Sequence, residues 1–191
     1  MKNSMKIMLV AAVVFAAIGC NNEINKSASP IELVVTNTQT LSHLDLFDQT
    51  NCNQSLGTIF MQAITKNPSS GTTNTTFNQV RITRYQVSYV RTDGGKQVPA
   101  SFVRTIDTLL TPDSSSSSLT NFIVLQPEAL TQAPFAALIP TNGGRDPDTG
   151  LDRIKMDVIV TLFGETLAGT NVSGSTRFPL EFFYNKGGCT A

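Results

Sequence analysis

Short stretches with a hydrophobic residue at every second position alternate along this chain with runs of Gly, Pro, Asn, Asp and Ser. A period of two belongs to strands, whose side chains point to opposite faces in turn. The clearest case is 154–162. Ile154, Met156, Val158, Val160 and Leu162 share one face, and Lys155, Asp157 and Thr161 share the other. The first set is expected in the core. A turn over 164–171 should bring the chain back as a strand over 172–184, with Leu180, Phe182 and Tyr184 in phase. Pro179 has no N–H to donate, so that strand is expected at a sheet edge there, or with an irregularity. Residues 77–92 form a strand that changes phase: Val80 and Ile82 are on one face, Tyr85, Val87 and Tyr89 on the other. Left alone, such a change turns half the strand outward. Either a β-bulge near Thr83 and Arg84 inserts one extra residue, or the strand crosses from one sheet to another. Asp93-Gly94-Gly95 then reads as a hairpin turn.

The remaining elements are shorter. Residues 31–40 are β-branched and predict an edge strand, and 41–55 a polar connection. Residues 56–66 predict a strand with Ile59, Met61 and Ala63 on one face and Phe60 and Ile64 on the other, so both faces are candidates for burial. Residues 67–76 are a loop. A strand over 101–110, a serine-rich loop tip over 114–118 and a short apolar strand over 122–125 follow. Residues 127–132 suit one helical turn, with Pro127 first and Glu128 near its positive end. Residues 135–139 are an apolar plug for one end of the core, and 141–150 a long turn. Strands at this spacing, without a long amphipathic helix, predict an all-β fold: a single antiparallel two-sheet sandwich of about seven to nine strands, with at most one short helix. In a general way it resembles immunoglobulin and fibronectin type III domains. The Cys…Trp…Cys signature is missing, since the chain has no Trp, and the resemblance implies no function.

The N-terminus departs from this pattern. Lys2 and Lys6 flank an apolar run over 7–18, which Gly19-Cys20 ends. A spanning helix needs about 20 apolar residues, whereas a run of this length with a basic flank fits a signal-peptide core. The stretch resembles the signal peptides of bacterial lipoproteins, with Ala17-Ile18-Gly19-Cys20 as the small-residue box. Ala17 stands where Leu is commonest. The resemblance implies cleavage of 1–19, lipid attachment at Cys20, and anchoring by more than one acyl chain without a transmembrane helix. It places the domain in the cell envelope, outside the cytoplasm, and Asn21 rather than Asp after the cysteine favours the outer membrane. An ordinary secretory peptide with an incidental Cys20 is the alternative. Residues 20–30, polar and without periodicity, read as a tether, and ten residues span at most about 35 Å. The domain is then 31–191.

Cleavage leaves 172 residues carrying 12 basic and 14 acidic side chains. That is a single-domain length. With no basic stripe, a nucleic-acid partner is not expected. In an oxidising compartment Cys52 and Cys189 form one disulfide in the simplest reading; two free thiols are the alternative. No Cys-x-x-Cys or Cys/His cluster supplies a zinc ligand set, and no cofactor is expected.

Chemistry has few footholds. His43 is the only histidine, no G-x-S-x-G accompanies it, and it reads as a solvated loop residue. Asp45, Asp48, Glu165 and Glu181 are the carboxylates available for hydrolysis of a glycoside, expected in turns or facing out of strands. Asp146, Asp148 and Asp152 resemble the start of an EF-hand calcium loop, but Leu151 stands where Gly is required and Asp157 where Glu is usual. Tyr85, Val87, Tyr89 and Arg91 share a face that is either a stacking platform or an ordinary half-buried strand. These features lead to a non-catalytic, lipid-anchored structural or interaction module with an envelope protein as partner. The alternatives are a glycan- or calcium-binding module acting through the sandwich loops, or a carboxylate-dependent hydrolase.

A Cys52–Cys189 bridge closes a loop of 137 residue steps, which loop-closure arithmetic values at up to about 5 kcal/mol. Thiol titration of the mature protein, unfolded without reductant, should find neither cysteine reactive. Full reactivity of both would contradict the bridge.

Overall fold

Strand β7, Arg153–Thr166, lies at the centre of the larger sheet, and the inward set named above is fully buried on it. Burying a side chain of this size contributes about 1.5–3 kcal/mol, so these five supply roughly 10 kcal/mol before chain entropy opposes them. The structure, a computed structural model, describes residues 29–38, 42–46, 58–66, 75–120 and 122–184. Residues 1–28, and with them Cys20, the signal segment and most of the tether, lie outside these ranges, as do Asp48, Cys52 and Cys189.

The described chain is all-β, with two sheets. β4 (Val80–Arg91) and β8 (Asn171–Phe183) flank β7, and β5 (Phe102–Leu110) and β2 (Ser42–Asp45) complete the order β2-β8-β7-β4-β5. This sheet is curled. The second sheet has the order β1-β3-β6, from Ile31–Asn37, Ile59–Thr65 and Ser117–Leu119. Ile31, Leu33 and Val35 of β1 and Ile59, Met61 and Ala63 of β3 join the same hydrophobic core as β7. β1 approaches β8 so closely that a Cβ on Gly174 would collide with the Leu33 carbonyl. Asn37 then ties the sheets together, its Nδ2 donating to Thr176 Oγ1 at 2.7 Å and to the Arg177 carbonyl at 2.6 Å. Among the described residues no helix is long and apolar enough to cross a membrane. The expected helical turn is present as a 3-10 turn, Pro127–Thr131, and a second, Phe135–Leu138, plugs the core with Phe135 and Leu138.

The phase change in β4 is a bulge. Its ladders with β5 and with β7 both shift between Ile82 and Arg84. Val80 and Ile82 before it and Tyr85, Val87 and Tyr89 after it are all buried. Gly164, on β7 opposite Ile82, has no room for a Cβ because the Arg81 carbonyl occupies that place. The expectation of a turn at Gly164 is thereby corrected. β7 runs on to Thr166, and the turn lies over 167–170, where Gly169 takes φ +84°.

Four other expectations are corrected. The connection over 41–55 contains β2, and β2 pairs with β8 in parallel, so the strands are not all antiparallel. Four residues containing His and Asp carry little strand propensity, and the free edge of β8 supplies the pairing. The serine run is not a bare loop tip, since Ser117–Leu119 pairs with β3. Residues 122–125 form no ladder. Phe122 and Val124 are buried, and the backbone is held by tyrosines instead: Tyr89 Oη donates to the Val124 carbonyl at 2.7 Å, and Ile123 N donates to Tyr85 Oη at 3.2 Å. Asp93-Gly94-Gly95 opens a long connection to β5 rather than a tight hairpin. Pro179 behaves as expected. β2 pairs only with Leu180–Phe183, so at Pro179 the described ladder is on the β7 side alone.

Val158→Asp places a carboxylate in this interior without a partner and should abolish cooperative unfolding. Asp157→Asn removes only a partly exposed ion pair with Arg177 at 3.3 Å and should cost less than about 1 kcal/mol. Thermal melts of the two variants check this, and equal losses would mean that the face is inverted.

Candidate functional site

A regular strand shows one face only every second residue. The β4 bulge lets two consecutive residues, Thr83 and Arg84, line the same cleft. The cleft, of about 780 Å³, lies where the start of β1 meets the bulged end of the larger sheet. Arg84 lays its guanidinium over the Phe163 ring, with Cζ 4.9 Å from the ring centroid, a stacked arrangement that orders the side chain. Among the described residues the Arg84 side chain makes no hydrogen bond or ion pair, and the residue is exposed. Glu165, Asn171 and Ser173 form one wall. Glu32 of β1 and Lys66, the residue after β3, also line the cleft. Glu32, Arg84 and Glu165 are exposed.

Beyond the cleft, two clusters hold the carboxylates of Asp93, Asp146 and Glu181. The Arg91 side chain is buried between Asp93 and Asp146. Its Nε donates to Asp93 Oδ1 at 2.7 Å, and its Nη2 donates to Asp146 Oδ2 at 2.7 Å and to Asp93 Oδ2 at 2.9 Å. Asp93 also accepts from Gly95 N and Lys155 N, and Asp146 from the amide and hydroxyl of Thr149. Asp146 Oδ1 is buried without a hydrogen-bond partner among the described residues. Burial pushes both carboxyls up, but the hydrogen bonds from Arg91 and the neighbouring donors outweigh it, and both lie below the ordinary carboxylate value. The bond between Tyr89 and the Val124 carbonyl lies in the same interior, and burial pushes the Tyr89 phenol far up.

The second cluster surrounds Glu181, which is buried rather than facing outward as expected. Arg153 Nη1 donates to its Oε1 at 2.7 Å, while Lys155 Nζ and His43 Nδ1 stand 3.6 and 3.8 Å from its Oε2. His43 is therefore not a loop residue. The parallel register of β2 sets it opposite Glu181.

Two of the carboxylates singled out for hydrolysis, Glu165 and Glu181, do not meet. Glu165 pairs in register with Asn171, at one end of β8, and Glu181 lies ten residues further along that strand. At about 3.3 Å per residue they are roughly 30 Å apart, against the roughly 5–9.5 Å that glycoside hydrolysis requires. Asp45 is buried. The calcium candidates do not gather either. Asp146 binds Arg91, Asp148 accepts from the backbone of Lys96 and Gln97, and Asp152 pairs with Arg153. No group of three metal-ligating side chains exists among the described residues. Tyr85, Tyr89 and Arg91 are buried, which makes them structural rather than a stacking platform. Sequence reasoning missed the cleft. Its one sequence signal was the phase change at Thr83.

The lowered carboxyls of Asp93 and Asp146 contribute stability that is present above the unfolded value, near pH 4, and is lost as pH falls through their folded values. The melting temperature should therefore hold between about pH 7 and 5 and drop below about pH 4. Asp146→Asn should melt lower at neutral pH, because it takes an anion from a buried cation, yet lose less on acidification. An unchanged acid slope in that variant would contradict this assignment. Comparisons of the chain with protein-family models, with curated proteins and with solved structures find no match.

Proposed function

We propose that the protein is a lipid-anchored, non-catalytic binding or interaction module of the cell envelope. The N-terminal sequence carries this reading: a basic flank, a twelve-residue apolar run over 7–18 and the box ending in Cys20. Lipid at Cys20 would hold the domain at a membrane surface, with the tether of residues 20–30 giving it reach and rotational freedom. The domain lies outside the cytoplasm, at the outer membrane in preference to the inner, with an envelope protein as partner. Its architecture is read as an immunoglobulin-like two-sheet sandwich, a reading supported by the single core that β1 and β3 share with the curled sheet.

The non-catalytic part is supported by the state of the carboxylates. Glu181, Asp93, Asp146 and Asp148 are engaged by cations or backbone N–H groups. Glu32 and Glu165 share the cleft and are both exposed. The existence of the cleft favours a ligand-binding form of this module over a purely structural one. The reading keeps the Cys52–Cys189 bridge. Leu46 N donates to the Phe183 carbonyl at 2.8 Å at the shared end of the parallel pair β2 and β8. Cys52 follows Leu46 by six residues, and Cys189 follows Phe183 by six, so two equal lengths of chain leave neighbouring points.

Cys20→Ser tests the anchor. The parent should fractionate with membranes and be released by detergent, and the variant should appear soluble or unprocessed. A variant that is processed and partitions like the parent would overturn the reading.

A further inference from the structure

We infer that the cleft beside the β4 bulge binds a neutral oligosaccharide, with Arg84 as its central donor and Glu165 as its central acceptor. The inference rests on the reading of the protein as a binding module, but not on its lipidation. The volume, about 780 Å³, falls in the range of roughly 300–1,000 Å³ that ligand sites occupy. The cleft is lined by side chains of both signs, Arg84 and Lys66 as well as Glu32 and Glu165. A phosphate or a polyanion would meet two carboxylates, and a polycation two basic groups, so an uncharged ligand suits the cleft best. Between these charges stand hydroxyls and an amide, from Thr83, Asn171 and Ser173. Such groups both donate and accept, and a vicinal diol needs both.

Arg84 is the organised part of the site. Stacked on Phe163, its planar guanidinium loses little further freedom when it donates to adjacent ring hydroxyls, which lowers the entropic cost of binding. The bulge is what makes the site possible, because it sets Thr83 and Arg84 side by side on one surface. Bulges are used in this way beside functional sites. Exposed carboxylates accept hydrogen bonds from sugar hydroxyls.

The experiment is NMR or calorimetric titration of the full chain in detergent with chitotetraose, cellotetraose and maltotetraose at millimolar concentration, with pyrophosphate as the anionic control. At least one sugar should bind and remain uncleaved. Arg84→Ala and Glu165→Gln should each weaken it by about tenfold, the usual cost of a lost hydrogen bond to a charged group, with melting temperatures near that of the parent. Four results would overturn the proposal: no binding of any of the three sugars, binding indifferent to both substitutions, preference for pyrophosphate, or release of shorter sugars. None of these results bears on the anchor. A soluble Cys20→Ser protein that still binds sugar would separate the two readings.

Discussion

A strand in the middle of a sheet must turn its apolar side chains inward along its whole length, and β4 can do so only by absorbing one extra residue. β4 is paired on both sides, by β5 and by β7, so a slip in it would propagate to both neighbours. The bulge between Ile82 and Arg84 keeps Val80 and Ile82 in the same core as Tyr85, Val87 and Tyr89. Its consequences spread outward. Gly164 is required on β7 to admit the displaced carbonyl of Arg81. Beyond the bulge, Tyr85 and Tyr89 point inward and hold the backbone at Ile123 and Val124. Arg91, in the same phase, reaches the interior between Asp93 and Asp146. On the opposite face, Thr83 and Arg84 come to line one cleft.

Buried charge fixes the connections that the ladders leave unsupported. The long connection after β4 has no tight turn, and Asp93 holds it through Arg91, Gly95 N and Lys155 N. The turn before β7 is held by Asp146, and Asp148 joins it to the backbone of Lys96 and Gln97. At the far edge of the sheet, Glu181 gathers Arg153 and Lys155 and lies 3.8 Å from His43, the β2 residue opposite it in the four-residue parallel ladder. Removing one member of such a group leaves another charge buried without compensation, which makes these clusters specific locks rather than large sources of net stability.

Much of the fold was legible because it rests on periodicity. The inward set of β7, the bulge, the edge position of β1 and the turn at Pro127 all follow from patterns within a dozen residues. What was not legible depends on distant partners. β2 is a strand only because β8 offers an edge to it, and β6 only because β3 does. Residues 122–125 look like a strand by composition, but Tyr85 and Tyr89 satisfy their backbone and no ladder forms. Asp93 has the appearance of a turn residue, and nothing local reveals that a buried guanidinium awaits it. The cleft combines Glu32, Arg84 and Glu165, which lie far apart in sequence, and only the phase change at Thr83 marked it in advance.

The role of the extra residue is open to one direct measurement, the equilibrium unfolding of two single-residue deletions in β4. Excising Thr83 leaves Val80, Ile82, Tyr85, Val87 and Tyr89 in strict alternation, so the strand can run without a bulge and every core residue stays inward. Excising Ser88 from the regular part of the same strand reverses the phase of Tyr89 and Arg91 against the residues before them. The first variant should fold and unfold cooperatively near the parent's stability, and the second should not fold. Equal damage from the two deletions, or a folded Ser88 deletion beside an unfolded Thr83 deletion, would show that the bulge does not set the phase of this sheet.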